Sequence, residues 1–396
     1  MCGILHGFTH IYNVALLPLY LLIQQDLKLP GVEQATLLVT VMMIAYFGPS
    51  YPMGILADRF SRKKILGIGL AINGLGFVGL ALSRSYPAAL ACVVLAGFGG
   101  SFYHPAATAM VARLYPTGTG KALGLVAVGA SAGFFIGPLY SGWRAAASGS
   151  WRAPVLELGI LGILAAAVFL LLAQEELPDR TNAPGRAHSE KIFPNTTLWL
   201  LFFGAALAFS LRDFTGWSMG SLGSLFMQKA HGLDPRFTGL ALSSIFLVSI
   251  VSNPLFGGLS DRGRMRWTSF VLIVAAATVW VFPRVPRFAI IPVLAVYGFF
   301  FLACYPIIEA ALMESVHDSV RGRVFGLFIT IGGIVGNLAH WFVGAWVRSL
   351  GPASDDPSSY YPLYAMLSLL VLLSLAGLPC LHAIRKRERG AESEAS

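Results

Sequence analysis

Seven polar side chains stand among long apolar runs: His10, Asn13, His104, Arg212, Asp213, Glu309 and His340. A charged group at bilayer depth costs on the order of 2.5–3.5 kcal/mol by insertion scales, so it persists where it meets a partner, water or a substrate. Carboxyl and imidazole groups held there can take up and release protons, and a guanidinium can hold an anion. The chemistry these residue types support is therefore solute binding and proton transfer across a membrane. Glu309, with Asp213 or His104, is the expected proton carrier, and Arg212 the expected seat for an anionic group. A structural reading stands beside each. His10 and Asn13 can bond neighbouring helices, and His104 can meet a carbonyl freed by Pro105. Arg212 and Asp213 project about 100° apart on a helix, so each can serve a different neighbour. His340 is read as structural.

The elements that carry these residues are membrane spans. Hydrophobic residues make up 56% of the 396 and charged residues only 12%, with a mean hydropathy of +0.70. A soluble domain carries about 25% charge. Twelve apolar segments of spanning length are expected, at 4–25, 33–57, 65–83, 86–113, 121–146, 153–173, 196–228, 236–259, 267–283, 288–315, 323–349 and 361–384. A polar stretch at 174–195 divides them six and six. The expected organisation is a six-helix bundle over 1–173, a cytoplasmic linker over 174–195, a second bundle over 196–384 and a cytoplasmic tail over 385–396. Of the 28 lysines and arginines, 18 fall on the side that carries both termini and nine on the other. By the positive-inside rule the terminal side is cytoplasmic. The net charge of +9 is then a topology signal, and no nucleic-acid partner is expected. The four dispersed cysteines form no disulfide framework. No cleavable signal peptide is evident.

The halves repeat. GILADRFSRKK, from Gly54, places Asp58 among Arg59, Arg62, Lys63 and Lys64; GGLSDRGRMR, from Gly257, places Asp261 beside Arg262. Each acid follows a glycine by four residues. Pro105 pairs with Pro306 and Gly124 with Gly326. His10 precedes Asp58 by 48 residues, and Asp213 precedes Asp261 by the same step. Two parallel repeats of six helices are a transporter architecture, with the substrate site near the midplane between them.

GILADRFSRKK resembles the signature G-x-x-x-D-R-x-x-R-K of the major facilitator superfamily, in the loop between spans 2 and 3. The resemblance implies twelve helices in two pseudo-symmetric bundles, an all-α membrane fold. It also implies a cytoplasmic latch built from Asp58, Arg59 and Arg62, with Asp261 and Arg262 as counterparts; Gly54 and Gly257 are counted with them as gating residues. GASAGFFIGP in span 5 sets Gly129, Gly133 and Gly137 four apart before Pro138. Its ending resembles the motif of the family's antiporters, mostly drug or metabolite exporters; as plain chemistry it is a face for close helix packing. The family's drug exporters often carry an arginine ahead of the span 4 glycines, but VVLA precedes Gly97 here. HIYNVALLPLY, GSFYHPAA and the span 7 arginine resemble the fosmidomycin-resistance branch. In the family, spans 1, 4, 7 and 10 line the cavity. That places His10, Asn13, His104, Arg212, Asp213 and Glu309 there, with Trp217 and Tyr305 shaping its wall.

The expected function is a secondary active transporter working by alternating access. Proton-coupled export of a small polar or amphipathic compound is the leading reading. A uniporter or proton-coupled importer of an organic anion is the alternative. A divalent-metal exporter is a third, since His6, His10, His104 and Asp213 offer nitrogen and oxygen ligands, although no His-x-x-His or Cys cluster supports it. No phosphate-binding loop or nucleophile elbow occurs, so no enzyme activity, resident metal or cofactor is expected. The partners are a small-molecule substrate, protons and the lipid bilayer of a bacterial inner membrane, and the chain is expected to be a monomer.

Overall fold

A computed structural model describes residues 1–115, 119–174, 192–316 and 320–395, apart from the side chains at 51, 58, 119, 120 and 388–395. Most of the 174–195 linker and the side chain of Asp58 thus lie outside the described residues. The described chain forms seventeen α-helices. In the first half these are α1 (Cys2–Val14), α2 (Tyr20–Asp26), α3 (Val32–Phe47), α4 (Ser50–Arg59), α5 (Arg62–Leu82), α6 (Tyr86–Ser101), α7 (Tyr103–Leu114), α8 (Thr119–Ser148) and α9 (Arg152–Leu172). The second half holds α10 (Thr196–Leu225), α11 (Pro235–Leu247), α12 (Ser249–Ser260), α13 (Arg264–Val281), α14 (Ile290–Met313), α15 (Arg321–Ser349), α16 (Tyr361–Leu373) and α17 (Gly377–Ala395).

Seventeen helices make twelve spans because several spans are interrupted. Eleven stretches are long and apolar enough to cross, and the shorter apolar α3 continues past Gly48 and Pro49 into α4. Span 8 breaks at the matching depth, between α11 and α12. Pro18 opens a short 3-10 turn between α1 and α2. Such breaks fall where proline withholds an amide from the ladder or where a neighbouring helix supplies the missing partner. Starts follow local capping chemistry. Ser61 accepts from the Lys64 amide at 3.3 Å, Asn195 from Leu198 at 3.0 Å and Asp234 from Phe237 at 2.8 Å.

Within the first half α5 packs on α9 and α6, α1 on α8, and α3 on α6. The second half mirrors this, with α10 on α15 and α17, and α13 on α14 and α16. Between the halves, α8 packs on α11 and α3 on α15. Leucines 125, 171, 172 and 200 stay exposed, as expected for a surface that meets hydrocarbon. Arg152 fastens one loop: its Nη1 donates to the carbonyls of Ala81 and Ser83 ending α5, and its Nη2 pairs with Asp26 Oδ2 at 2.6 Å. Trp151 is buried, its indole donating to Asp26 at 3.0 Å. Trp143 and Trp280 are exposed.

The glycine stripe of span 5 lies inside the first half. A Cβ on Gly129 would stand 1.8 Å from the Gly3 carbonyl oxygen, and one on Gly133 2.2 Å from that of Gly7. Gly137 faces Ile11 and Val14. These small residues let α8 lie against α1 backbone to backbone. Pro138, which follows them, sits at the seam between the halves: a Cβ on Gly239 would come 2.2 Å from its carbonyl oxygen.

Candidate transport site and gate

Two polar clusters form at mid-depth, one in each half. The first gathers three imidazoles. His6 and His10 lie one turn apart on α1, and His104 enters from the start of α7, just past the helix break at Phe102. The His6 and His10 Nε2 atoms are 3.1 Å apart. His6 Nδ1 meets the Val126 carbonyl at 3.0 Å, and Asn13 Nδ2 reaches His10 Nδ1 at 3.4 Å. A carbonyl only accepts, so His6 carries its proton on Nδ1. Its Nε2 then accepts from His10, whose Nδ1 accepts from Asn13. His10 also stacks on Phe134, with ring centroids 4.2 Å apart.

The second cluster is built on α10 and α14. Arg212 Nε and Nη2 both donate to Asp213 Oδ1, at 3.1 and 2.8 Å, and Tyr305 Oη donates to the same oxygen at 3.0 Å. The Arg212 guanidinium lies 4.2 Å from the Tyr305 ring centroid. Arg212 is only 2% exposed. The 100° offset between adjacent helix positions suggested separate partners; the arginine stem is long enough to fold back onto its neighbour. Glu309, one turn beyond Tyr305, is half-buried and feels the charges of both Arg212 and Asp213. It makes no direct hydrogen bond among the described residues. Trp217, one turn beyond Asp213, links the clusters through Phe134, at 6.4 Å between rings. Phe134 stacks in turn on Phe246 of the second half at 4.9 Å. Phe134 and Phe246 carry no polar atom, and sequence reading passed over them for that reason.

Every hydrogen bond between the halves among the described residues lies from this aromatic layer toward the face opposite the termini. Tyr20 Oη meets Ser221 Oγ at 2.9 Å, and Ser221 Oγ meets His340 Nδ1 at 2.6 Å. Asn337 Oδ1 holds the other His340 nitrogen at 3.1 Å. Ser224 donates to the Leu17 carbonyl at 2.6 Å and Gln228 to that of Pro18 at 3.1 Å. Ser243 donates to the Phe135 carbonyl at 2.7 Å, just before Pro138 interrupts the α8 ladder. Arg348 pairs with Glu33. Thr40 makes a double stitch. Its hydroxyl donates to the Asn337 carbonyl at 2.9 Å and accepts from the Trp341 amide at 3.0 Å. Those two groups are the ones an α-helix joins directly.

Thr40→Val keeps the shape and removes the stitch. The Asn337 and Trp341 groups can then pair within α15, so the loss is that of a hydrogen bond between the halves, about 0.5–1.5 kcal/mol. Amide exchange at Trp341 should rise about tenfold by mass spectrometry, with other α15 amides unchanged; wild-type protection at Trp341 would rule the stitch out.

The residues of the expected latch lie on the terminal face. Asp261 pairs with Arg264 of its own half at 3.2 Å, and Arg264 also holds Glu314 at 2.5 Å. Arg385 approaches Glu314 at 3.4 Å. Arg59 and Arg262 are exposed, Gly54 rests against Pro105, and Gly257 has open space beside it. Arg62 begins α5. Arg264, Glu314 and Arg385 escaped the sequence reading as a group, although the i,i+3 spacing of Asp261 and Arg264 was visible. The gate pairs across the halves carry no local signal, being separated by 108 to 315 positions.

This geometry has a known family. The Major Facilitator Superfamily profile matches residues 2–340. The chain belongs to that superfamily. As a major facilitator it is an integral membrane transporter of small molecules, not an enzyme. It is 26% identical over 332 residues to Multidrug resistance protein 2 of Bacillus subtilis, covering 80% of this chain and 79% of that one. The multi-drug resistance efflux pump PmrA of Streptococcus pneumoniae is 26% identical over 355 residues, covering 85% and 82%. The quinolone resistance protein NorA of Staphylococcus aureus is 25% identical over 235 residues, 58% of each chain. Among solved structures, a bacterial homologue of the human lysosomal transporter Spinster, inward-facing and unoccupied, superposes with a TM-score of 0.80. It is 16% identical, covering 97% of this chain and 95% of that one. That likeness bears on the fold of this major facilitator.

Proposed function

We propose that the protein exports small polar or amphipathic compounds in exchange for protons, by alternating access. One observation carries this reading: two facing polar clusters lie at mid-depth, and among the described residues the hydrogen bonds joining the halves lie to one side of them. A solute reaching the clusters from the terminal face would meet His10, Phe134, Trp217 and Glu309. The multidrug relatives support export of amphipathic compounds. The terminal face is cytoplasmic by its excess of lysine and arginine, so the bonds described between the halves close the opposite, outer side. The bundles divide at 174–195, and the chain acts as a monomer in a bacterial inner membrane.

Glu309 is the proposed proton carrier, with Asp213 coupled to it. A carboxyl at this depth changes protonation as its surroundings alternate between water and low-dielectric protein. Asp213 is committed to Arg212 and Tyr305, whereas Glu309 has no direct hydrogen-bond partner among the described residues. The Arg212 charge is already matched, so it gives the anion-import alternative no particular support. Glu309→Gln keeps the shape without the titrating proton. In proteoliposomes, transport of a quinolone driven by a pH gradient should fall at least tenfold, while quinolone exchange without a gradient continues. Full proton-driven turnover by the variant would remove Glu309 from the mechanism.

A further inference from the structure

We propose that His6, His10 and His104 bind a divalent transition-metal ion of the zinc, nickel and copper class. The ring nitrogens these residues offer all lie within 4.8 Å of one another. Two ligands on a tetrahedral ion with metal–nitrogen bonds of about 2.0–2.1 Å stand about 3.4 Å apart. The His6 and His10 Nε2 atoms, at 3.1 Å, are close to that separation already. His104 completes the triangle, its ring centroid 5.2 Å from His6 and 5.7 Å from His10. Neutral imidazole is a donor of intermediate softness and suits these ions, and three histidines leave a fourth position open to water or a solute.

The surroundings favour ligation in a further way. A metal-binding histidine usually donates its other N–H to a carbonyl or carboxylate, which fixes the tautomer that faces the ion. His6 has that partner in the Val126 carbonyl, so its Nε2 lone pair points at His10. His10 has Asn13 at Nδ1. An amide offers either its nitrogen or, turned over, its oxygen. Turning the Asn13 amide lets His10 Nδ1 carry the proton and frees Nε2 for the ion. The ion would replace the single proton now shared between the two Nε2 atoms. Phe134, stacked on His10, and Tyr103, stacked on His6 at 4.7 Å, hold both rings in place. Asp213, grouped with these histidines from sequence alone, sits in the other cluster and takes no part.

The test uses the full chain, purified with its affinity tag removed, because a polyhistidine tag would bind the same ions. Isothermal titration with Zn²⁺ should give one site per chain. His10→Gln and His104→Gln should each weaken it at least tenfold, whereas His382→Gln, which removes an exposed imidazole, should leave it unchanged. Co²⁺ bound to the wild-type protein should show the intense visible bands of a low-symmetry nitrogen site, and these should vanish in His6→Gln. The Co²⁺ spectrum of the unmodified chain keeps the proposal testable if a variant fails to fold. Absence of a saturable site, binding unaffected by all three cluster variants, or an octahedral aquo-like Co²⁺ spectrum would each overturn it.

Discussion

Asp213→Ala is expected to abolish transport and to cut the yield of folded protein, the heaviest single-residue effect in the second half. Arg212 has almost no contact with solvent, and its Nε and Nη2 both spend their hydrogens on one oxygen of Asp213. Without that carboxylate, a buried cation is left with the Tyr305 ring and the Cys304 sulfur, 3.8 Å from Nη1. Removing one member of a buried pair costs about 3–5 kcal/mol. A desolvated cation–π contact is worth about 2 kcal/mol, and the Tyr305 contact is already present in the wild type, so it offers no new compensation. Arg212→Leu combined with Asp213→Ala removes both charges and should recover much of the folded yield. The check is thermal unfolding in detergent for the single and double variants. A single variant that melts at the wild-type temperature would show that the pair does not hold spans 7 and 10 together.

The second large effect concerns motion. Gly239→Leu should reduce transport at least tenfold while leaving each six-helix half folded. A Cβ there would lie 2.2 Å from the Pro138 carbonyl oxygen, and one on Gly142 2.2 Å from that of Pro235. The obstacles are backbone atoms, so no rotamer change relieves them, and α8 and α11 must separate. Both glycines lie on the face opposite the termini, where the halves close on each other. The variant should be held open on that face, and Gly142→Leu should behave alike. A cysteine pair replacing Glu33 and Arg348, which pair across the halves, should be joined by a short bifunctional thiol reagent in an otherwise wild-type background and poorly beside Gly239→Leu. Normal transport by both glycine variants would show that close approach at this seam is not required.

The twelve spans and the twofold repeat could be read from the sequence because a bilayer allows few solutions. Backbone groups must be paired within each span, so long apolar runs become helices. The equal step from His10 to Asp58 and from Asp213 to Asp261 then marks corresponding depths in the two halves. The candidate residues of the site were chosen by the same logic, because polar groups are rare there. Their pairings were less accessible. Helix rotation alone separates Arg212 from Asp213, and only side-chain reach reunites them. His6 lies four residues before His10, a spacing that puts both on one face of α1, yet its third partner is nearly a hundred residues away. Thr40 gives no signal at all, since a threonine in an apolar run usually bonds its own helix.

That threonine has a consequence for the speed of the cycle. While the face opposite the termini is shut, its hydroxyl is a guest in the ladder of α15. On opening, the Trp341 amide and the Asn337 carbonyl are one turn apart and can take each other directly. The departing hydroxyl finds a host in the carbonyl four residues back on α3, at Thr36. No backbone group is stranded on either side of the exchange, so this seam can part without the penalty of an orphaned amide in hydrocarbon. Such a swap lowers the barrier between the two states without favouring either one.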